Sequence, residues 1–332
     1  MAFKGWEKVR IKTDRGEMVE GIAPVIISAS RSTDIPAFYA KWFINRLNAG
    51  YVRWINPFNR RSQYVSFEKA RLIVFWSKNP APIMKYLREI DERGINYYFQ
   101  FTLNDYEDEG FEPNVPPLKE RISTFKELSD MIGKEKVIWR FDPLILTKEL
   151  DVKKLLDKIY KVGSKIHRYT DKLVISFADI GIYAKVRRNL KKANINYIEF
   201  DRKTMEEIAE SIQRINKEWG LEIATCAEEV DLDKYSIKHN KCIDDELIIK
   251  LFRKDRKLME FLGVEEKEFL FPVKRDYLKD KGQRKFCGCI VSKDIGQYNT
   301  CGHLCVYCYA NYSKEVVLRN LGRHDENSDS IV

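Results

Sequence analysis

Short runs of apolar residues, many of them β-branched, recur along the chain at 25–30, 51–56, 72–77, 95–103, 137–142, 173–178, 221–227 and 289–295. They read as nearly continuous hydrophobic strands, the pattern of a parallel sheet covered by helices. Between them lie amphipathic stretches at 37–49, 82–93, 117–132, 151–169, 203–219 and 244–262. Strand and helix in alternation predict parallel βα units. Eight such strands predict an α/β fold of the (β/α)8, TIM-like barrel type, one barrel domain over residues 1–332.

Polar residues collect where these strands end. Ser30, Arg31 and Asp34 follow the first run, Asn56-Pro57-Phe58-Asn59 the second, and Ser77 and Asn79 close the third. Gln100, Thr102 and Asn104 share one face of the fourth, because side chains two apart point the same way. Arg140 and Asp142 share a face of the fifth, Asp179 ends the sixth and Glu228 the seventh. In barrels of this kind the C-terminal strand ends carry the active site. Arg140 and Asp142 are therefore expected to contact a ligand, with a structural ion pair as the plainer reading. Asp34 is either a ligand contact or the N-cap of the helix opened by Ile35-Pro36.

Composition narrows the class. The 332 residues are 44% hydrophobic, enough for a large core. No apolar stretch reaches the roughly 18 residues that a membrane helix needs. The opening Met-Ala-Phe-Lys-Gly-Trp-Glu has no apolar run behind it, so a cytoplasmic protein without membrane contact is expected. The net charge of +9 permits nucleic-acid binding without requiring it. Lys185, Arg187, Arg188, Lys191 and Lys192 form one basic segment. Lys274, Arg275, Lys279, Lys281, Arg284 and Lys285 form another. Solvated helix faces are the plain reading of both, a phosphate-binding surface the sharper one.

Cysteine usage changes the picture most. Five of the seven cysteines fall between Cys287 and Cys308, and clustering of that kind in a cytosolic chain favours metal over disulfides. Cys301, Cys305 and Cys308 have the spacing Cys-x-x-x-Cys-x-x-Cys, with Tyr307 before the last. Three thiolates on one loop suit three irons of a [4Fe-4S] cluster. A zinc site completed by Cys287, Cys289 or His303 is the competing reading. Cys287 and Cys289 are candidates for a second metal site, with Cys226 or Cys242, or are two structural thiols. Cys226 itself reads as a core cysteine.

The three-cysteine spacing, down to the aromatic, resembles the radical S-adenosylmethionine (SAM) superfamily. That resemblance implies an open fourth iron that binds SAM. In that superfamily the motif follows the first barrel strand. Here the run 289–295, the cysteine loop and the stretch 309–321 would supply strand, loop and helix, with 25–30 as the second strand. The chain thus resembles a circularly permuted radical SAM barrel, with 287–312 as its iron–sulfur segment. Ser30, Arg31 and Asp34 then stand where the superfamily places a Gly-Gly-Glu-like SAM contact, which this chain lacks. Ile27-Ser-Ala-Ser-Arg-Ser-Thr-Asp-Ile-Pro, Asn56-Pro-Phe-Asn, Val74-Phe-Trp-Ser-Lys-Asn-Pro and Trp139-Arg-Phe-Asp-Pro, with the C-terminal cysteines, resemble domain-of-unknown-function family 1848.

Two functions follow as expectations. One is a [4Fe-4S] radical SAM-type enzyme taking electrons from a ferredoxin or flavodoxin. In it SAM lies near Ser30, Arg31, Asp34, Ser77, Asn79, Gln100, Thr102 and Asn104. Arg140, Asp142, Asp179 and Glu228 hold the substrate. The other is a non-catalytic protein, stapled by a cluster or zinc, that binds nucleic acid through its basic helices.

Overall fold

Strands apolar on both faces, and helices apolar on one, build a mixed α/β fold around one large parallel sheet. The computed structural model describes residues 3–264 and 276–332. Lys274 and Arg275 of the second basic segment lie outside the described residues. Along the chain the strands are β1 (Glu7–Lys12), β2 (Met18–Ala23), β3 (Ile26–Ala29), β4 (Tyr51–Ile55), β5 (Ser62–Ser66), β6 (Leu72–Ser77), β7 (Asn96–Thr102), β8 (Val137–Leu144), β9 (Leu146–Thr147), β10 (Lys172–Phe177), β11 (Tyr197–Ile198), β12 (Glu222–Thr225), β13 (Ile237–His239) and β14 (Lys293–Asp294).

The main sheet has the order β13-β12-β10-β8-β7-β6-β3-β14. Every neighbouring pair in it is parallel. Alternation along each strand makes two cores. Ile27, Ile73, Phe75, Phe99, Trp139, Phe141 and Ile175 face the outer helices. Ile26, Leu72, Val74, Tyr98, Ile138 and Val174 face inward, and are covered by Ile248, Phe252 and Leu258 of the helices Asp245–Phe252 and Arg256–Phe261. Burying each such side chain contributes roughly 1.5–3 kcal/mol, which explains runs with almost no alternation.

The outer helices have the expected stripe. Val152–Ile166 buries Leu155, Ile159, Val162 and Ile166, at helical spacing, and Asp151 caps it by accepting from Lys154 N at 2.9 Å.

Three expectations need correction. First, the run 51–56 is not in the main sheet. β4 pairs antiparallel with β5 in a separate four-stranded sheet of order β1-β2-β5-β4. Its place as eighth strand is taken by β13, a three-residue strand in which only Ile237 is buried, too polar and short to register as an apolar run. Second, only two residues of 289–295 form strand, where Lys293 and Asp294 pair with Ile27 and Ser28. Third, the expected barrel is seen only as an open sheet: β13 and β14 are its two ends, and among the described residues no ladder joins them. The seam is narrow: Ile290 N donates to Ile243 O at 3.1 Å across it. A late strand, β14, thus lies beside the first strand of this sheet, β3.

Candidate functional site: a cysteine loop over a polar strand-end chamber

The loop that follows β14 brings Cys301, Cys305 and Cys308 to the C-terminal ends of the parallel strands. All three cysteines keep part of their surface exposed, although their sulfurs are turned inward. Cys308 N donates to Cys305 O at 3.1 Å, which turns the loop back on itself. Backbone N–H groups of His303 and Asp34 donate to the Cys301 sulfur, and those of Ala310 and Asn311 to the Cys308 sulfur. Burial pushes the Cys301 thiol up to about 12, helped by Asp34 and Cys308. Burial also raises Cys305 and Cys308. Crowded thiols of this kind become thiolates when a cation sits among them. Among the described residues, no three His, Cys, Asp or Glu side chains converge as ligands of a single metal ion. Thiolates of a cluster stand on different irons and need not converge in that way.

Asp34 fixes the loop from below. One carboxylate oxygen accepts from Ala37 N at 3.0 Å and Ser77 Oγ at 2.8 Å. The other accepts from Lys78 N at 2.7 Å and pairs with His303 Nε2 at 2.8 Å. Of its two readings, Asp34 has the geometry of the cap, and both of its oxygens are engaged. His303, buried with its other ring nitrogen 3.3 Å from Asn114 O, is a strut of the loop.

A second anchor escaped the sequence. Lys78 Nζ donates to Glu112 Oε1 at 2.7 Å and to Tyr307 OH at 3.0 Å. Tyr307 OH donates to Glu112 as well. Asn104 Nδ2 donates to Glu112 at 2.9 Å and to Asp142 O at 3.2 Å. Burial opposes the charge of Glu112, but Lys78 and Arg121 pull its carboxyl down to about 2. The aromatic before the third cysteine is therefore a hydrogen-bonding post. Nothing in the sequence around Glu112 signals this, because its partners come from distant strands.

Beneath the loop the inward face turns polar. Arg140 is 4% exposed. It donates to Asp142 Oδ2 from Nε at 3.0 Å and from Nη2. It also donates to Gln100 Oε1 and Cys242 Sγ, each at 3.1 Å. Ser176 Oγ donates to Asp142. Burial opposes the Asp142 charge, yet Arg140 and Ser176 hold it below the usual carboxylate range. The expected open, ligand-facing pair is thus a buried ion pair whose aspartate edge alone reaches solvent. Gln100 also donates to Cys242 O at 2.9 Å, while Thr102 lies beside Arg140 in the sheet register and stays partly exposed.

Four thiols follow one another across the seam. Cys226 Sγ lies 3.4 Å from Cys242 Sγ. Cys242 contacts Cys289, whose sulfur accepts from Cys242 N at 3.2 Å, and Cys289 contacts Cys287. The hydrogen bond from Cys289 lowers Cys287, while Cys226 is raised by its bond to Cys242 and by burial.

The remaining candidates complete the rim. Ser30 Oγ donates to Asp294 Oδ1 at 2.7 Å, and Asn79 N donates to Ser77 Oγ at 3.0 Å. Asp179 faces Arg284 at 3.8 Å near the surface. Glu228 is 4% exposed and accepts from Phe177 N at 3.0 Å. Burial raises its carboxyl to about 8, despite that N–H. Two surface cavities, of about 210 and 400 Å³, lie elsewhere, at the N-terminal ends of β8 and β10 and between two outer helices.

A protein family described as "Domain of unknown function (DUF1848)" matches residues 26–310. None of the curated proteins matches the chain. A solved structure, titled as a candidate alpha-L-fucosidase from Bacteroides thetaiotaomicron, shares 10% identity. It covers 59% of this chain and 85% of that one with a TM-score of 0.23, a likeness that carries no argument. Among the described residues no helix is long and apolar enough to cross a membrane.

Proposed function

The chain belongs to the DUF1848 family, and from its geometry we propose that it is a radical SAM-type iron–sulfur enzyme on a permuted (β/α) barrel-like sheet. The observation that carries the reading is the cysteine loop itself: three thiols over polar side chains at the strand ends, with backbone N–H groups aimed at two of the sulfurs. Hydrogen bonds to sulfur are among the levers by which a protein tunes a bound cluster. Cys301, Cys305 and Cys308 would hold one iron each of a [4Fe-4S] cluster. When bound with SAM at its open iron and reduced by a ferredoxin or flavodoxin, such a cluster supplies homolytic carbon–sulfur cleavage.

This chain's own residues do the rest. Asp34 and Glu112, through His303 and Tyr307, hold the loop at a fixed height over the strand ends. Lys78 puts a positive charge beside Cys305, which favours its thiolate. Glu228, protonated near neutral pH, can donate a hydrogen bond or a proton at the far side of the chamber. A second metal at Cys287 and Cys289 would have to recruit Cys226 and Cys242, which stand in file with them.

One observation favours the nucleic-acid reading. The helix Ala184–Lys192 exposes Arg187, Arg188, Lys191 and Lys192 beside the cysteine loop, where Lys185 Nζ donates to Tyr309 O at 3.1 Å and Tyr312 is 62% exposed. Basic side chains next to open aromatics suit phosphate and base contacts.

Anaerobic reconstitution with iron and sulfide separates the two. The enzyme reading expects a brown protein, visible absorbance lost in Cys301→Ala, Cys305→Ala and Cys308→Ala, and release of 5′-deoxyadenosine from SAM under reduction. A colourless protein that takes up zinc and binds DNA or RNA in a salt-dependent way would replace it with the non-catalytic reading.

A further inference from the structure

Arg31 differs from every other element of the chamber. Its hydrogen bonds among the described residues are made by its backbone: its N donates to Asp294 Oδ2 at 2.8 Å, and its O accepts from Tyr309 OH at 2.7 Å. The side chain has a ring but no bond. Its guanidinium carbon stands 5.1 Å from the Trp76 ring centroid, and Nη2 is buried without a hydrogen-bond partner. Asp294 is near, but its oxygens already accept from Ser28, Ser30, Gly296 and the Arg31 amide, at 2.7–2.9 Å. Arg140, one strand group away, shows the contrast, with four N–H contacts to neighbouring side chains. A buried guanidinium N–H left without an acceptor is costly, and the cost is removed when an anion arrives.

We propose that Arg31, over the Trp76 ring, is an oxyanion-binding residue of the strand-end site, taking a carboxylate or phosphate group of a bound molecule. A planar guanidinium over an indole ring can still offer N–H groups to such a group, the fork geometry that suits carboxylate and phosphate. One further buried atom without a partner, Ser292 Oγ before β14, is a hydroxyl that can donate to such a group along the same seam. The Tyr309 bond ties the Arg31 backbone to the residue that follows Cys308, so the anion would be held next to the cysteine loop. The inference rests on the reading that the strand-end chamber is the reaction site, and its two sources are the carboxylate of SAM and an anionic group of the substrate.

The test uses the full chain without iron, so it does not depend on a cluster. Inorganic phosphate and acetate are titrated separately, with tryptophan fluorescence and melting temperature as readouts. Saturable binding of either probe is expected, with a quench that is lost in Trp76→Phe. Arg31→Gln should weaken binding at least about tenfold, equal to roughly 1.4 kcal/mol. Arg31→Lys should bind more weakly than native but better than Gln. Without anion, Arg31→Gln should melt close to the native temperature, since no fixed bond is removed. In protein reconstituted with iron and sulfide, release of the bound probe by SAM would assign the anion to the cofactor; simultaneous binding would assign it to the substrate. Equal affinity in native protein and Arg31→Gln, no saturable binding of either probe, or a large fall in the anion-free melting temperature of both Arg31 variants would overturn the proposal.

Discussion

Removing the Arg140 guanidinium tests the chamber most directly. Arg140→Ala takes a cation from a site where it is 4% exposed and leaves Asp142 with Ser176 as its side-chain donor. Gln100 Oε1 and Cys242 Sγ each lose a donor 3.1 Å away. Breaking a buried pair from one side typically costs about 3–5 kcal/mol. The Asp142 side chain keeps 20% exposure, so water can recover part of that and the low end, about 3 kcal/mol, applies. At about 2 °C per kcal/mol for a chain of this size, the melting temperature should fall by about 6 °C. Thermal unfolding followed by circular dichroism is sufficient to measure it. Arg140→Met with Asp142→Asn removes both charges and should recover at least half of the loss. An Arg140→Ala protein that melts within about 2 °C of native would refute the reasoning and return the pair to an open, ligand-facing role.

Two further outcomes are expected. Glu228 has its folded pKa raised to about 8, so its contribution to stability is complete below its unfolded value and is lost as pH rises through the folded one. Native protein should therefore lose melting temperature between about pH 5 and 8, and Glu228→Gln should flatten that slope; identical slopes would end the argument. At Gly296 an added Cβ would overlap Ser30 Oγ and crowd Ser32 Oγ, so Gly296→Ala should cost about 1–3 kcal/mol, whereas Gly322→Ala, with nothing within 4 Å, serves as the neutral comparison in the same melt.

The sequence made the main strands legible because parallel strands buried on both faces need apolar residues at nearly every position. β3, β6, β7 and β12 fall within expected runs, while β8 runs two residues past its run and β10 starts one residue before its own. β1, β2 and β5 did not stand out, because strands with exposed faces mix polar residues into the pattern, as in Glu7–Lys12. β4 shows the converse error: Tyr51–Ile55 is apolar enough to pass for a parallel strand, yet pairs antiparallel outside the main sheet. Spacing alone marked Cys301, Cys305 and Cys308, and strand-end position marked Arg140 and Asp142. Neither could show that Arg140 is closed in by Gln100 and Cys242, since those contacts join residues 40 and 102 apart in sequence. Lys78, Glu112 and Tyr307 form their anchor for the same reason only after the fold has assembled.

The position of β14 beside β3 has a consequence for how the protein is made. Asp34 and His303, which meet at 2.8 Å, are 269 residues apart. At ribosomal speeds of about 5–20 residues per second, Asp34 waits on the order of tens of seconds for its partner to emerge. During that interval β3 is an open sheet edge, exposed to foreign strands. The cysteine loop is the last part of the site to leave the ribosome, and it closes over walls already standing. A nascent chain arrested before β14 would have the other strands of the sheet but no cysteine loop over their ends, and any metal held by that loop must be delivered after the loop has emerged.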